Sequence, residues 1–350
     1  MPRRWPHAIA PLANLVNMIN WQLAADFGKA IVPIGKPGDP MMNNKAVGEI
    51  RAAARKALPI ITEVTQLPET GDVLELVVDR KAMVEANVAT AKNIMGDAES
   101  GLLGKLSEAS RAVTLGGALA LLAPRILGQY VPYADRPMLL LNAPTIVQVE
   151  EELKVNPQDF RLWVALHEQT HRVQFANAPW LREYLVALIN EVLEDDEKLN
   201  FDVAKLREVQ KQKANSLDAI KAALSPQLAK KLDSINAIMG LLEGHADFMM
   251  DAVGAQTVPS VRTIRRRFQN RRKSAMHSKN IFKALLNRLL GMDAKLAQYQ
   301  DGARFCRAAI DEVGVEGLNL VWEKPENLPT ADELKAPMRW LTRVAYPQVD

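Results

Sequence analysis

The strongest local constraint on the fold is one helix near the middle of the chain, whose start and end are both marked in the sequence. Asn156 is a favourable N-cap, Pro157 suits the first helical position, and Asp159 complements the positive end of the helix dipole. Asn177 and Pro179 predict the end of the helix. Its apolar stripe consists of residues three or four apart, namely Phe160, Val164, His167, His171 and Phe175. Two histidines are therefore expected on the face that points into the protein.

These histidines form a His-Glu-x-x-His pattern. His167 and His171 are one helical turn apart, so both imidazoles point toward one site, as a divalent metal requires. Zinc accepts neutral imidazole nitrogen, and Glu168 would lie beside the ion, where it could take a proton from zinc-bound water and later deliver it to a leaving group. The chain has only five histidines, which makes a chance match rare. The alternative is a pair of partly buried histidines satisfied by hydrogen bonds.

A catalytic zinc ion normally has three protein ligands and one open position, so a third ligand is expected. The metzincin pattern needs Gly at 174 and His at 177, and Gln174 and Asn177 exclude that class. Two later glutamates, each followed four residues on by an aspartate, remain as candidates. Glu191 resembles the third ligand of thermolysin-like enzymes but opens an acidic cluster typical of a solvated helix end. Glu243 is favoured, because a lone carboxylate on a small, apolar helix face rarely lacks a partner.

Two residues close to Glu243 have further predicted roles. Asp247, one helical turn after Glu243, would orient a histidine ligand by accepting a hydrogen bond from the ring nitrogen that does not bind the metal. His245 lies about 200° around the helix from Glu243, so both are not expected to bind one ion. It is a candidate to stabilise the transition state by holding the substrate oxyanion, and a satisfied core histidine is the alternative.

Helical periodicity dominates the rest of the sequence, and strand signals are scarce. Four further segments combine Ala, Leu, Lys and Glu with helical apolar spacing: 46–64, 73–95, 199–224 and 281–299. The best strand is 138–141, either an edge strand for an extended substrate or a buried strand. The sequence thus predicts a mainly α fold with a small β element near the active site.

Three regions are predicted along the chain. They are an N-terminal helical region over 1–131, a metal-binding core over 132–322 and a Pro-rich C-terminal tail over 323–350. The stretch 323–337, which holds three prolines, is expected to lie along the surface. A single domain is the alternative, since 350 residues lie just beyond the size at which one core usually stops growing.

Two blocks of sequence resemble a bacterial family of zinc-dependent hydrolases, and similarity extends over most of the chain, from Trp21 to about Gly317. The blocks are residues 163–175, with the His-Glu-x-x-His pattern, followed by 179–182, and residues 241–254, with Glu-Gly-His-Ala-Asp, followed by 258–261. The resemblance implies a zincin-like helical fold, a zinc ion and a hydrolase activity that is itself inferred from the motif. It also strengthens Glu243, because the Glu-Gly-His block belongs to the family pattern. The family is often labelled as associated with deazaflavin-coenzyme biosynthesis, a label of association that implies no particular reaction.

Composition excludes several other classes. The chain is 48% hydrophobic, which excludes a wholly disordered protein, and its single cysteine, Cys306, excludes a disulfide framework and Cys-rich zinc modules. The longest apolar run, 112–123, is too short to span a membrane. A cytoplasmic location is expected.

Charge argues against a dedicated nucleic-acid binder, because 44 Lys and Arg residues nearly balance 41 Asp and Glu residues. Seven of the twelve residues in 262–273 are basic. Phosphate binding with Phe268 as a stacking group is one interpretation. A solvated helix with a normal buried stripe is the other, and it is favoured.

The sequence therefore predicts a zinc-dependent hydrolase acting on a peptide or amide carbonyl, with metallopeptidase the first candidate. The rival is a zinc-stabilised binding or scaffold protein that turns over no substrate. Catalysis is favoured, since a structural site has no need of Glu168 and normally has four protein ligands. No nucleic-acid partner is expected, and the oligomeric state is left open.

Overall fold

The computed structural model describes residues 19–35, 39–69, 71–95, 107–134, 136–194, 226–276 and 292–346. Within these ranges the chain is mainly helical with one small sheet, as predicted. The helices, in chain order, are α1 (Trp21–Ile31), α2 (Pro40–Thr65), α3 (Arg80–Met95), α4 (Glu108–Leu122), α5 (Ala143–Leu153), α6 (Pro157–Asn177), α7 (Leu181–Glu194), α8 (Pro226–Thr257), α9 (Val261–Met276), α10 (Met292–Asn319), α11 (Ala331–Lys335) and α12 (Pro337–Trp340). The predicted helix 199–224 and most of 281–299 lie outside the described residues.

The sheet has three strands in the order β1 (Leu74–Val78), β3 (Met138–Asn142), β2 (Gly128–Val131). β1 runs parallel to β3 and β2 runs antiparallel to it. Because β3 is the central strand, the buried interpretation of 138–141 is correct and the edge interpretation is wrong. Side chains alternate across β3, so Leu139 and Leu141 join one core cluster and Leu140 joins another.

Strand β1 corrects the prediction of a continuous helix over 73–95. The chain forms a strand over 74–78 and becomes helical only at Arg80. The reason is local: Leu-Glu-Leu-Val-Val alternates in polarity at its start and ends in two β-branched residues, which suits a half-buried strand. Asp79 then starts α3 by accepting a hydrogen bond from the backbone N–H of Ala82 at 2.8 Å.

Helix α6 confirms the strongest sequence prediction and crosses the larger core cluster. The side chain of Asn156 accepts a hydrogen bond from the backbone N–H of Asp159 at 3.0 Å. Arg161, nearly buried, is paired with Glu49 on α2 and Glu150 on α5. These contacts hold the N-terminal end of α6 against α2 and α5.

Helices α8 and α10 cross at very short distance through three glycines. A Cβ on Gly302 would meet the backbone of Gly240, and a Cβ on Gly244 would meet the backbone at Gly302. Such an approach excludes side chains at the crossing point. The crossing therefore limits the rotation of α8 about its axis, and with it the directions of the side chains that α8 carries.

The C-terminal segment is part of the core. The expectation that 323–337 lies along the surface is correct only in part, because Leu328 and Leu334 are buried in the larger core cluster. Trp340 and Leu341 are fully buried. The indole N–H of Trp340 donates to the carbonyl of Asn327 at 2.7 Å, and its ring forms a T-shaped contact with Phe305 on α10. Burial of these large apolar groups outweighs the tendency of the prolines to favour an exposed loop.

Both sides of the predicted boundary near 132–137 contribute to one structural unit, because that segment connects β2 to β3 of the same sheet. The three-region division stays a prediction. In the part of the chain that the structure covers, no helix combines the length and apolar character needed to cross a bilayer.

Candidate metal centre

Three predicted ligand side chains meet between α6 and α8. The Nε2 atoms of His167 and His171 are 3.2 Å apart, with the two rings nearly perpendicular. The carboxylate of Glu243 lies 3.6 Å from Nε2 of His167 and 3.8 Å from Nε2 of His171. One donor atom from each residue lies within 4.8 Å of the other two. Two imidazole nitrogens and one carboxylate oxygen are a donor set that suits zinc.

The outer ring nitrogens are held by different groups. Nδ1 of His171 lies 2.9 Å from Oε1 of Gln174, whereas Nδ1 of His167 lies 3.3 Å from the thioether sulfur of Met250. With both Nδ1 atoms engaged, both Nε2 atoms are directed toward Glu243. This is the arrangement that a shared cation requires.

Glu191, the other predicted third ligand, lies elsewhere. It is half exposed on α7 and forms an ion pair with Lys231 at 3.1 Å. The structure thus brings Glu243, and not Glu191, to the histidine pair.

Charge within the site also favours a cation. Burial opposes protonation of His167, but the hydrogen bond and negative charge of Glu243 outweigh it and raise the pKa of His167 to about 9. Burial and the neighbouring His167 lower the pKa of His171. The carboxylate of Glu243 stabilises positive charge at His167, while the ring of His171 stays neutral. A metal ion bound between these three side chains would benefit from the same negative charge and from the neutral imidazole.

Glu168 is buried against strand β2. The backbone N–H of Tyr130 forms a hydrogen bond with its carboxylate, and Gly128 leaves the space that its side chain occupies. Burial raises the pKa of Glu168 to about 7, with a further rise from the charge of Glu243 and an opposing effect of His167. A carboxyl with that pKa can both accept and release a proton near neutral pH.

Asp247 is not in hydrogen-bond contact with either histidine. Its carboxylate lies 4.0 Å from the guanidinium of Arg265, whose shorter ion pair, 2.6 Å, is with Asp251. Its negative charge acts on both histidines from a distance, adding to the rise in the pKa of His167 and opposing the fall in the pKa of His171. The predicted direct orienting contact is therefore absent among the described residues, and only an electrostatic role is left for Asp247.

His245 lies behind the site. It is fully buried, and its Nδ1 is 2.9 Å from Nε2 of Gln174 rather than near the carboxylate of Glu243. Burial, together with His171, lowers the pKa of His245 to about 3, so its ring is neutral at physiological pH. This position fits a core histidine better than a donor to a substrate oxyanion, and among the described residues only Nδ1 of its ring has a hydrogen-bond partner.

The basic segment 262–273 lies on α9, whose described side chains mostly have protein partners. Arg265 pairs with Asp251, Arg267 donates to two backbone carbonyls at the end of α5, and Arg271 pairs with Glu152. The ring of Phe268 packs edge-on against Trp163 at 5.3 Å. These contacts favour the interpretation of a packed surface helix over a phosphate-binding one.

The fold and this site agree with what comparison with known proteins finds. The model of a family described as "Zincin-like metallopeptidase" matches residues 19–341. The chain belongs to this family. No curated protein matches the chain.

Among solved structures, this family member is similar to a protein from Chloroflexus aurantiacus described as "a putative hydrolase with a novel fold". The two sequences are 29% identical, the match covers 93% of this chain and 98% of that one, and the TM-score is 0.66. Family and neighbour together support a metal-dependent hydrolase, and the zincin-like family implies a metal ion, typically zinc. Neither match carries the deazaflavin label.

Three residues that shape the centre of this zincin-like protein have no role predicted from the sequence. The contact of Gln174 with His171 could have been predicted, because residues three positions apart on a helix are neighbours. Met250 is far from His167 in sequence, and Gly128 lies on a strand that carried no prediction. Their contacts depend on how α6 meets α8 and β2, which no local pattern indicates.

Proposed function

We propose that this protein is a zinc-dependent hydrolase, and specifically a metallopeptidase, in which His167, His171 and Glu243 hold the ion. The observation that carries the proposal is the convergence of these three side chains from α6 and α8, with Glu168 beside them. Three protein ligands leave room for a substrate, as in catalytic zinc sites.

When bound, the ion supplies Lewis acidity, polarising the attacking water and the substrate carbonyl. Glu168 takes the proton of that water and delivers it to the departing amine. Its burial beside the proposed ligands suits both transfers. The hydrogen bond from Tyr130 orients the carboxylate without satisfying all of its acceptor sites.

A peptide is favoured as substrate because the site lies beside the outer strand of the sheet. Glu168 lies against Gly128 and the backbone of Tyr130 on strand β2. Among the described residues this strand pairs with β3 on one side, and no strand pairs with its other side. An extended peptide could add to this side by backbone hydrogen bonds, which would bring a carbonyl next to Glu168. An amide without an extended backbone would gain no such contacts.

The ligand set is tested by measuring zinc per chain by elemental analysis in the wild type, in Glu243→Gln and in the matched control Glu191→Gln. We expect about one zinc per chain in the wild type and the control, and loss only with Glu243→Gln. Loss only with Glu191→Gln would show that the third ligand is wrong. Failure of the wild type to take up zinc on reconstitution would overturn the metal site itself.

Catalysis is tested with Glu168→Gln and a mixture of peptides from digested casein, with newly formed amino termini identified by mass spectrometry. Loss of the general base should slow cleavage about 10²–10⁴-fold while zinc content is unchanged. Equal cleavage by zinc-loaded Glu168→Gln would contradict the role of Glu168. A zinc-loaded wild type that leaves every peptide intact would favour the scaffold alternative.

A further inference from the structure

One backbone carbonyl determines the orientation of a buried amide beside the metal centre. Gln174 is fully buried on α6, and its Nε2 lies 2.9 Å from the carbonyl oxygen of Leu242 on α8. A carbonyl oxygen can only accept, so the group facing Leu242 must be the NH₂ group of the amide. The amide oxygen of Gln174 must then face the other way, toward His171.

This orientation fixes which nitrogen of His171 carries the proton. The amide oxygen of Gln174 is an acceptor, and it lies 2.9 Å from Nδ1 of His171. Nδ1 must therefore be the donor, which leaves the lone pair of Nε2 directed at Glu243. The opposite tautomer would place two acceptors against each other at Nδ1 and a proton at the metal-facing nitrogen.

The same amide also fixes His245. The second N–H of Gln174 points at Nδ1 of His245, 2.9 Å away, so that nitrogen must accept and the proton of His245 resides on Nε2. His245 is fully buried, its ring makes a T-shaped contact with Trp322, and its Nε2 has no hydrogen-bond partner in the described part of the chain. A buried polar nitrogen left unpaired costs stability, and the bond that Nδ1 accepts from Gln174 offsets part of that cost.

We propose that Gln174 and His245 are positioning residues that hold His171 in its Nδ1–H tautomer, ready to bind a cation through Nε2. The carbonyl of Leu242 orients the amide of Gln174, and this amide orients the ring of His171. His245 accepts the second N–H of Gln174 and so prevents rotation of the amide. This inference rests on the proposed function in assigning His171 as a metal ligand. The tautomer itself is a property of the protein without metal.

The two histidines are thus held unequally. Nδ1 of His167 faces the thioether of Met250, a weak acceptor, whereas Nδ1 of His171 faces an amide oxygen fixed from behind. The positioning effect of Gln174 and His245 is therefore expected at His171, whereas Nδ1 of His167 has only the weaker contact with Met250.

The experiment compares Gln174→Met with Gln169→Met in the full-length chain. Both are buried glutamines on α6 with hydrogen-bonded amides, and Gln169 bonds Ala54 and Glu75, away from the histidines. Ring nitrogen NMR on the metal-free protein reports the tautomer of His171. Titration with zinc against a competing chelator gives the dissociation constant.

We expect the wild type and Gln169→Met to show the Nδ1–H form of His171. In Gln174→Met the Nε2–H form should appear, the His167 signals should be unchanged, and the zinc dissociation constant should rise about 10–100-fold. A wild-type His171 in the Nε2–H form, or a Gln174→Met variant with unchanged tautomer and zinc affinity, would overturn the proposal.

A second variant keeps the test decisive if Gln174→Met fails to fold. His245→Phe retains an aromatic ring against Trp322 but removes the acceptor for the second N–H of Gln174. It should increase the zinc dissociation constant less than Gln174→Met does, because Leu242 still orients the amide, and unchanged affinity would remove His245 from the proposal. If the wild type binds no zinc, the proposed function fails, while the NMR result still decides the tautomer.

Discussion

Gly128 on β2 and Glu168 on α6 are so close that a side chain at position 128 would displace the carboxylate. A Cβ built on Gly128 would lie 2.6 Å from Cγ of Glu168 and 2.9 Å from its Cδ. Carbon atoms do not approach so closely, so the strand or the glutamate would have to move. The backbone N–H of Tyr130, two residues along the same strand, holds Glu168 in this position. The proposed base is thus positioned by an edge strand as well as by its own helix.

Gly128→Ala should therefore impair turnover without removing the metal. Displacement of a catalytic group by about 1 Å can cost about 10²-fold in rate, and we expect a loss of that order in kcat with zinc content unchanged. The control is Gly117→Ala, where the added Cβ would be in ordinary contact with Phe27 at 3.7 Å. Equal activity of Gly128→Ala and the wild type would show that Glu168 tolerates displacement or is not the base.

Met250→Leu should weaken zinc binding with little effect on folding. The substitution removes the only described acceptor for Nδ1 of His167. It nearly conserves side-chain volume, so the free energy of unfolding should fall by less than about 1.5 kcal/mol. The zinc dissociation constant should rise about tenfold. Met249→Leu, at an adjacent and fully buried position, is the control. Identical zinc affinities for the two variants would mean that the thioether does not orient His167.

Gly302→Ala should both destabilise the protein and weaken the metal site. The added Cβ would meet the backbone of Gly240 and push α10 away from α8, which carries Glu243. Overpacking of this kind costs about 1–3 kcal/mol, measurable by urea unfolding. Gly48→Ala is the control, because a Cβ there lies in open space on α2. Zinc affinity that survives the loss of stability would indicate that Glu243 is positioned independently of this crossing.

The C-terminal segment should contribute stability that depends on pH. Both oxygens of Glu333 accept from Arg343, at 2.8 and 2.9 Å, and its backbone and side chain form a capping box with Thr330. Burial raises the pKa of Glu333, but these bonds outweigh it and lower the pKa below its usual value. A carboxyl with a lowered folded-state pKa stabilises above its unfolded pKa, and that contribution is lost as pH falls through the folded-state pKa.

Glu333→Gln should thus be less stable than the wild type at pH 7, by about 1–2 kcal/mol in urea unfolding. The difference should shrink as the pH is lowered below about 4.3, the usual pKa of a glutamate, because the wild-type carboxyl then becomes neutral as well. A difference that is the same at pH 7 and pH 3 would show that the charge of Glu333 is not what stabilises this segment.

The parts of the structure that could be predicted are those determined by neighbours in sequence. The start of α6 follows from Asn156 and Pro157, and the pairing of His167 with His171 follows from one helical turn. Glu243 could be favoured because it is the only acidic residue between Ser234 and Gly244. Each of these inferences needs no knowledge of how two elements cross.

The parts that could not be predicted depend on tertiary contacts. Strand 74–78 is too short to outweigh the helical pattern that follows it, and only pairing with β3 shows it to be a strand. Trp340 belongs to the Pro-rich tail in the sequence, and its burial is apparent only from its contacts with Phe305 and Asn327. The orientation of the Gln174 amide is determined by the carbonyl of Leu242 on another helix.

The burial of Trp340 and Leu341 has a consequence for how the protein is made. Their side chains complete the core against α10, which in turn packs on α8, the helix of Glu243. During synthesis a chain emerges from the ribosome N-terminus first, so His167, His171 and Glu243 are all exposed before residues 340 and 341 appear. The packing of Trp340 against α10 forms only once those residues are free. A nascent chain would therefore carry every proposed ligand before it carries the side chains that complete the core behind α8.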